Sequence, residues 1–145
     1  MCEARKHGTI RPMIVQRLDH VNIITDRLVE TARFYAELLD LEERDGPPPL
    51  PPHQVRWMYD HAGSAILHLN SVDCPRAFDR DVAPGSETGA IHHVALRCGD
   101  FDEVKARLDE RGADYRINDL SSIGLRQIFT ADPNNVLLEL NFFAS

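Results

Sequence analysis

The chain has 145 residues, 43% hydrophobic and 27% charged, which suits one globular domain or two small modules sharing a core. Sixteen Lys and Arg against 23 Asp and Glu leave a net charge of −7, which argues against nucleic acid or an anionic membrane as partner, since both need a basic face. No apolar run approaches the roughly 20 residues of a membrane helix. The opening Met1–Pro12 lacks the apolar stretch of a secretory signal, and three scattered cysteines without a CxxC point to a reduced, cytoplasmic protein.

Residues 1–13 carry no periodicity and read as a flexible tail. Ile14–Thr25 is rich in β-branched residues and alternates, with Leu18, His20, Asn22 and Ile24 on one face, so a strand is expected. Asp26 offers an N-cap, and Leu28, Ala32, Tyr35 and Leu39 follow at helical spacing up to Asp40. Five prolines within Pro47–Pro52 cannot continue any element and predict a stiff loop over Asp45–Pro52. Val55–His61 and Ser64–Asn70 read as two strands joined by a turn at Ala62-Gly63, and residues 73–89 as a linker. Ala90–Cys98 is the next expected strand. Asp100 with Glu103 resembles a capping box, Phe101, Val104 and Leu108 form a helical stripe, and Gly112 is a stop. Tyr115–Ile117, Leu125–Thr130 and Val136–Phe143 complete the strands, with Asp132–Asn135 as the last turn.

The second half repeats the first. Leu18-Asp19-His20-Val21 superposes on Ile91-His92-His93-Val94 at an offset of 73, and Leu67-His68-Leu69-Asn70 on Leu138-Glu139-Leu140-Asn141 at an offset of 71. Two modules of strand, helix and three strands follow, over residues 14–72 and 90–145.

Each module places a metal-competent side chain in its first and last strand: His20 and His68, then His93 and Glu139. Imidazoles and a carboxylate held mid-strand among apolar neighbours would be costly to bury unpartnered, and converging on a divalent cation would remove that cost. Three nitrogens and a carboxylate suit Fe(II), Mn(II), Ni(II), Co(II) or Zn(II), with positions left open for substrate oxygens. A lone strand histidine is more often structural, and it is the repeat that singles out these four. His92 has the opposite parity to His93 and reads as structural. His7, His53 and His61 have no counterpart in the pattern, and the cysteines have neither a ligand-like nor a nucleophile-like context.

The run LDHVNIIT before ARFYAELLDL, the run IHHVALRC before a second helix, and the closing FTADPNNVLLEL resemble the vicinal oxygen chelate superfamily, over about residues 14–143. That superfamily groups glyoxalase I, extradiol dioxygenases, methylmalonyl-CoA epimerase, and fosfomycin and bleomycin resistance proteins. The resemblance implies an α+β fold in which two tandem βαβββ modules pair into a curled mixed sheet around a metal cleft, with His20, His68, His93 and Glu139 as ligands. Asn135 stands where the family usually has Gly, and Asn tolerates the left-handed turn.

Three functions are compatible with the resemblance. A metal-dependent lyase or isomerase acting through a metal-stabilised enolate would use Glu139 as ligand and base, although glyoxalases and epimerases usually carry Glu or Gln where His68 stands. An extradiol dioxygenase would use His20, His93 and Glu139 as a facial triad, with His68 as a free acid/base. Its expected Tyr is replaced by Phe129, and Ser121–Gln127 holds no His. A non-catalytic ligand-binding or resistance protein would have less need of the quartet. The first is the leading expectation, with a small-molecule substrate whose walls include Arg56, Trp57, Tyr59, Arg97 or Arg126. A homodimer is expected as well, with each metal site built by one chain or shared between two.

Overall fold

The computed structural model describes residues 17–75 and 87–145. The whole tail, residues 1–13, and residues 76–86 of the expected linker lie outside the described residues, as do Ile14–Gln16. Eight strands and two α-helices appear in the order β1 (Val21–Thr25), α1 (Leu28–Leu39), β2 (Glu42–Asp45), β3 (Val55–Tyr59), β4 (Ala65–Ser71), β5 (Val94–Cys98), α2 (Phe101–Glu110), β6 (Tyr115–Leu120), β7 (Leu125–Ala131) and β8 (Leu137–Phe143). They form two four-stranded sheets of identical topology, β1-β4-β3-β2 and β5-β8-β7-β6. In each, the first strand runs parallel to the last and the other pairings are antiparallel. This is the expected pair of βαβββ modules. The two sheets stay separate and open, and β1 and β5 are edge strands.

Three local expectations need correction. The first strands start later than their sequence pattern, at Val21 instead of Ile14 and at Val94 instead of Ala90. Pairing begins at Val21 with Leu67 and at Val94 with Leu138, close to where the partner strands themselves start, so the preceding residues have no ladder to join. His20 and His93 therefore stand one residue outside their strands rather than in mid-strand. Asp26 is not the N-cap of α1. That place is Arg27, whose N–H goes to the Thr25 hydroxyl at 2.9 Å while its carbonyl accepts from Thr31 N–H. Finally, β2 begins before the proline loop as the all-exposed run EERD, whose charged residues give no alternating signal. The Asp100 cap holds, with its carboxylate accepting from Glu103 N–H at 3.2 Å, and Asn135 adopts φ 61° as the turn requires.

Both helices cover their sheets. Ala32, Tyr35 and Leu38 of α1 are fully buried with Met58, Leu67 and Leu69, while Phe101, Val104 and Leu108 of α2 are buried with Ile128, Leu138 and Leu140. These residues form one continuous core, so burial by either module stabilises both. Polar locks cross the seam. Arg107 Nη1 donates to the carbonyls of Glu37 and Leu38 and to Asp40 at 2.9–3.3 Å. The buried Tyr35 hydroxyl donates to Asp132 at 3.0 Å. Burial, and then the Asp132 charge, holds that hydroxyl well above the usual tyrosine range. Asn134 joins the same lock, accepting from the Thr25 hydroxyl and donating to Thr31. Among the described residues no helix is long and apolar enough to cross a membrane.

Candidate metal centre

The module repeat places its four singled-out residues in two pairs. In the first module, β1 lies beside β4 with Asn22 opposite His68, which sets His20 and His68 on one face. Their rings stack, 3.8 Å between centroids and 16° between planes. Trp57, opposite His68 on β3, stacks on the other side at 4.0 Å and 2°. His20 Nδ1 lies 2.6 Å from an Asp19 carboxylate oxygen. That oxygen can only accept, so Nδ1 carries the hydrogen and Nε2 is the nitrogen left to bind a metal. Desolvation by burial, then the neighbouring His20, holds His68 below the usual histidine range, although Asp19 opposes this. His68 is thereby kept in the neutral form that can bind a metal.

In the second module, β5 lies beside β8 with Ala95 opposite Glu139, and His93 Nε2 comes within 3.2 Å of Glu139 Oε2. The other carboxylate oxygen, Oε1, accepts from Gln127 Nε2 at 2.8 Å and from Asn141 Nδ2 at 2.9 Å. Gln127 also donates to Asn141 Oδ1 at 2.8 Å and accepts from Asn118 at 2.8 Å, so a chain of side-chain amides fixes the carboxylate plane. His92 Nδ1 lies 2.9 Å from His93 Nδ1, which ties the two neighbours together.

The structure thus joins His20 to His68 and His93 to Glu139. It does not join the pairs: among the described residues no three of His, Cys, Asp and Glu gather as a metal-holding group. The pairs belong to separate sheets, next to the open edges of β1 and β5. Just before each edge stands a large exposed apolar residue, Leu18 at 78% and Ile91 at 64% of full exposure.

The donor set fits a first-row divalent ion. Each pair offers two donors, imidazole nitrogens from the first and an imidazole with a carboxylate from the second, and supporting hydrogen bonds orient Glu139 and His20. Among the described residues the cysteines contribute nothing to this set. Cys74 is buried, and burial pushes the Cys98 thiol up to about 11.

Asp19 and Gln127 were not legible as parts of the site. Asp19 has the opposite strand parity to His20 and reaches it only because the chain there is not a strand. Gln127 lies 12 residues from Glu139, and only the β7–β8 register shows that the two share a face. Of the expected substrate walls, Trp57 is at the site. Arg56 is held by Glu43 and Asp45, and Arg126 lies over Phe101 at 3.8 Å on the helix-facing side.

Similarity to known proteins agrees with this architecture. Residues 17–140 match the model of the Glyoxalase/Bleomycin resistance protein/Dioxygenase superfamily. A glyoxalase/dioxygenase from Nostoc punctiforme is 17% identical with a TM-score of 0.70, over 96% of this chain and 99% of that one. A glyoxylase/bleomycin resistance protein/dioxygenase domain from Frankia sp. is 18% identical with a TM-score of 0.66, over 90% and 94%. The fosfomycin resistance protein FosX from Listeria monocytogenes is 17% identical with a TM-score of 0.61, over 89% and 94%. No curated protein matches the sequence. With two βαβββ modules built to one topology and a family match over nearly the whole described chain, this protein belongs to the Glyoxalase/Bleomycin resistance protein/Dioxygenase superfamily.

Proposed function

We propose that this protein is a metal-dependent enzyme acting on a small substrate with neighbouring oxygen atoms, by lyase or isomerase chemistry, and that each metal site is completed by a second copy of the chain. The observation that carries the reading is the pairing itself. Two half-sites, His20 with His68 and His93 with Glu139, lie on separate sheets beside unpaired edge strands. A two-fold dimer that sets β1 of one copy against β5 of the other brings unlike half-sites together twice, covers Leu18 and Ile91, and pairs the β1 and β5 edges.

When bound, a divalent ion supplies Lewis-acid stabilisation of negative charge on the substrate oxygens. The chain's own residues supply the proton transfer. Glu139 Oε1 is pinned by Gln127 and Asn141, which leaves Oε2 to take a proton from the carbon beside the substrate carbonyl and to return it to the neighbouring position. His68, kept neutral, is available as a ligand or as a second proton acceptor. Oxygenase chemistry has less support, because Phe129, opposite Glu139, offers no hydroxyl.

Trp57 is the only tryptophan in the chain and stacks on His68, so its fluorescence reports directly on this half-site. Titrating metal-free protein with Mn(II) or Co(II) is expected to quench its emission and to saturate near one ion per chain, and His68→Ala should remove the response. Unchanged emission together with no stoichiometric metal by elemental analysis would overturn the metal-centred reading.

A further inference from the structure

Beyond the half-site of the second module, the same sheet face carries a cation that no carboxylate among the described residues neutralises. Alternation along β5 puts Arg97 on the side of His93 and Ala95, and the register sets Arg97 opposite Asn141 and Ala95 opposite Glu139. Gln127 bonds both Glu139 and Asn141, which confirms that all of them share one face. The Arg97 guanidinium lies over the ring of Phe143 at 4.6 Å, held on this face by an aromatic side chain rather than by an acid. Among the described residues it has no carboxylate within ion-pairing reach. The contrast with other arginines is direct: Arg56 and Arg107 each hold two carboxylates. In a chain with a net charge of −7, an unpaired guanidinium on the face of the candidate site needs a reason. Arg116 stands on the same face at the far end of the Glu139 row, across Phe129, so this face carries a second guanidinium.

The geometry points to a substrate that is an acid at both ends of a short chain: a chelating oxygen pair at the metal, and a separate oxyanion bound by Arg97. The metal end of this assignment rests on the metal-centred reading above, whereas the oxyanion end does not. Strand spacing places the Arg97 Cα one strand across and two residues along from Glu139, about 8 Å away. A spacer of about four carbons between the chelating oxygens and the distal oxyanion spans that distance once the arginine side chain reaches back. Asn141 and Gln127 lie between the two ends and offer amide contacts to the spacer. The Arg97 fork makes paired hydrogen bonds to a carboxylate or a phosphonate, which an uncharged tail cannot accept.

Two arms test this with the full chain. In the metal-free protein, glutarate is expected to shift the Arg97 Nε–H resonance saturably, whereas the neutral glutaramide leaves it in place. In Mn(II)-loaded protein, calorimetry should show 2-hydroxyadipate binding about 10- to 100-fold more tightly than 2-hydroxyhexanoate, the range expected of a charge-assisted hydrogen bond. Arg97→Gln should erase that preference. Arg126→Gln removes the same charge from the opposite side of the sheet and should retain it. An Arg97 resonance unmoved by glutarate, or a preference that survives Arg97→Gln, overturns the assignment. A glutarate response from a wild-type protein that fails to take up Mn(II) at all would overturn the metal-centred reading and leave the oxyanion site standing.

Discussion

Glu139→Gln is expected to weaken divalent-metal binding by more than about 100-fold, and Gln127→Leu by about 10- to 100-fold. The order follows from what each side chain touches. Gln127 only steadies Oε1, whereas Glu139 supplies the charged donor beside His93. The Gln replacement keeps the size of Glu139 and a hydrogen-bonding carbonyl, so its effect falls on charge and ligation more than on packing. Calorimetric titration with Ni(II) and with Mn(II) measures both variants. Wild-type affinity in Glu139→Gln would mean that the carboxylate is not a ligand.

Asp132→Ala is expected to cost about 3–5 kcal/mol and to lower the unfolding temperature by about 10 °C or more. The Asp132 carboxylate is 5% exposed and accepts from the Tyr35 hydroxyl at 3.0 Å and from the backbone N–H groups of Asn134 and Val136 at 2.8 Å each. Alanine would leave these donors without their acceptor in the seam between the modules. Tyr35→Phe removes only one donor and should cost about 1–2 kcal/mol. Because the two residues share that bond, the double variant should lose less than the sum. Urea unfolding followed by circular dichroism gives all three values, and additive losses would show that the residues do not act together.

Much of the architecture was legible because the repeat is carried by the residues that pack. Leu67, Leu69, Leu138 and Leu140 alternate with His68 and Glu139, so strand parity alone separated the core from the site. The helices were legible from apolar spacing that the core now explains through Ala32, Tyr35 and Leu38. β2 was not, since its four side chains are exposed and charged and give no apolar alternation to read. The strand starts misled because Leu18 and Ile91 continue the apolar alternation past the point where the sheet ends, and both are left exposed. The separation of the half-sites was beyond the sequence, because it depends on how the modules pack through Arg107, Asp132 and Asn134 and not on any ligand's neighbours.

The central claim is that one chain holds two unlike half-sites and that metal is bound where two chains meet. A chain carrying His20→Ala and His68→Ala lacks the first pair, and a chain carrying His93→Ala and Glu139→Ala lacks the second. Each alone should bind no metal. Unfolded together and refolded at equal amounts, random pairing makes half the dimers mixed, and each mixed dimer has one intact site out of two. Elemental analysis of the desalted mixture should therefore recover about a quarter of the wild-type metal. A mixture as empty as its components, from a wild type that binds one ion per chain as a monomer by light scattering, would contradict the account.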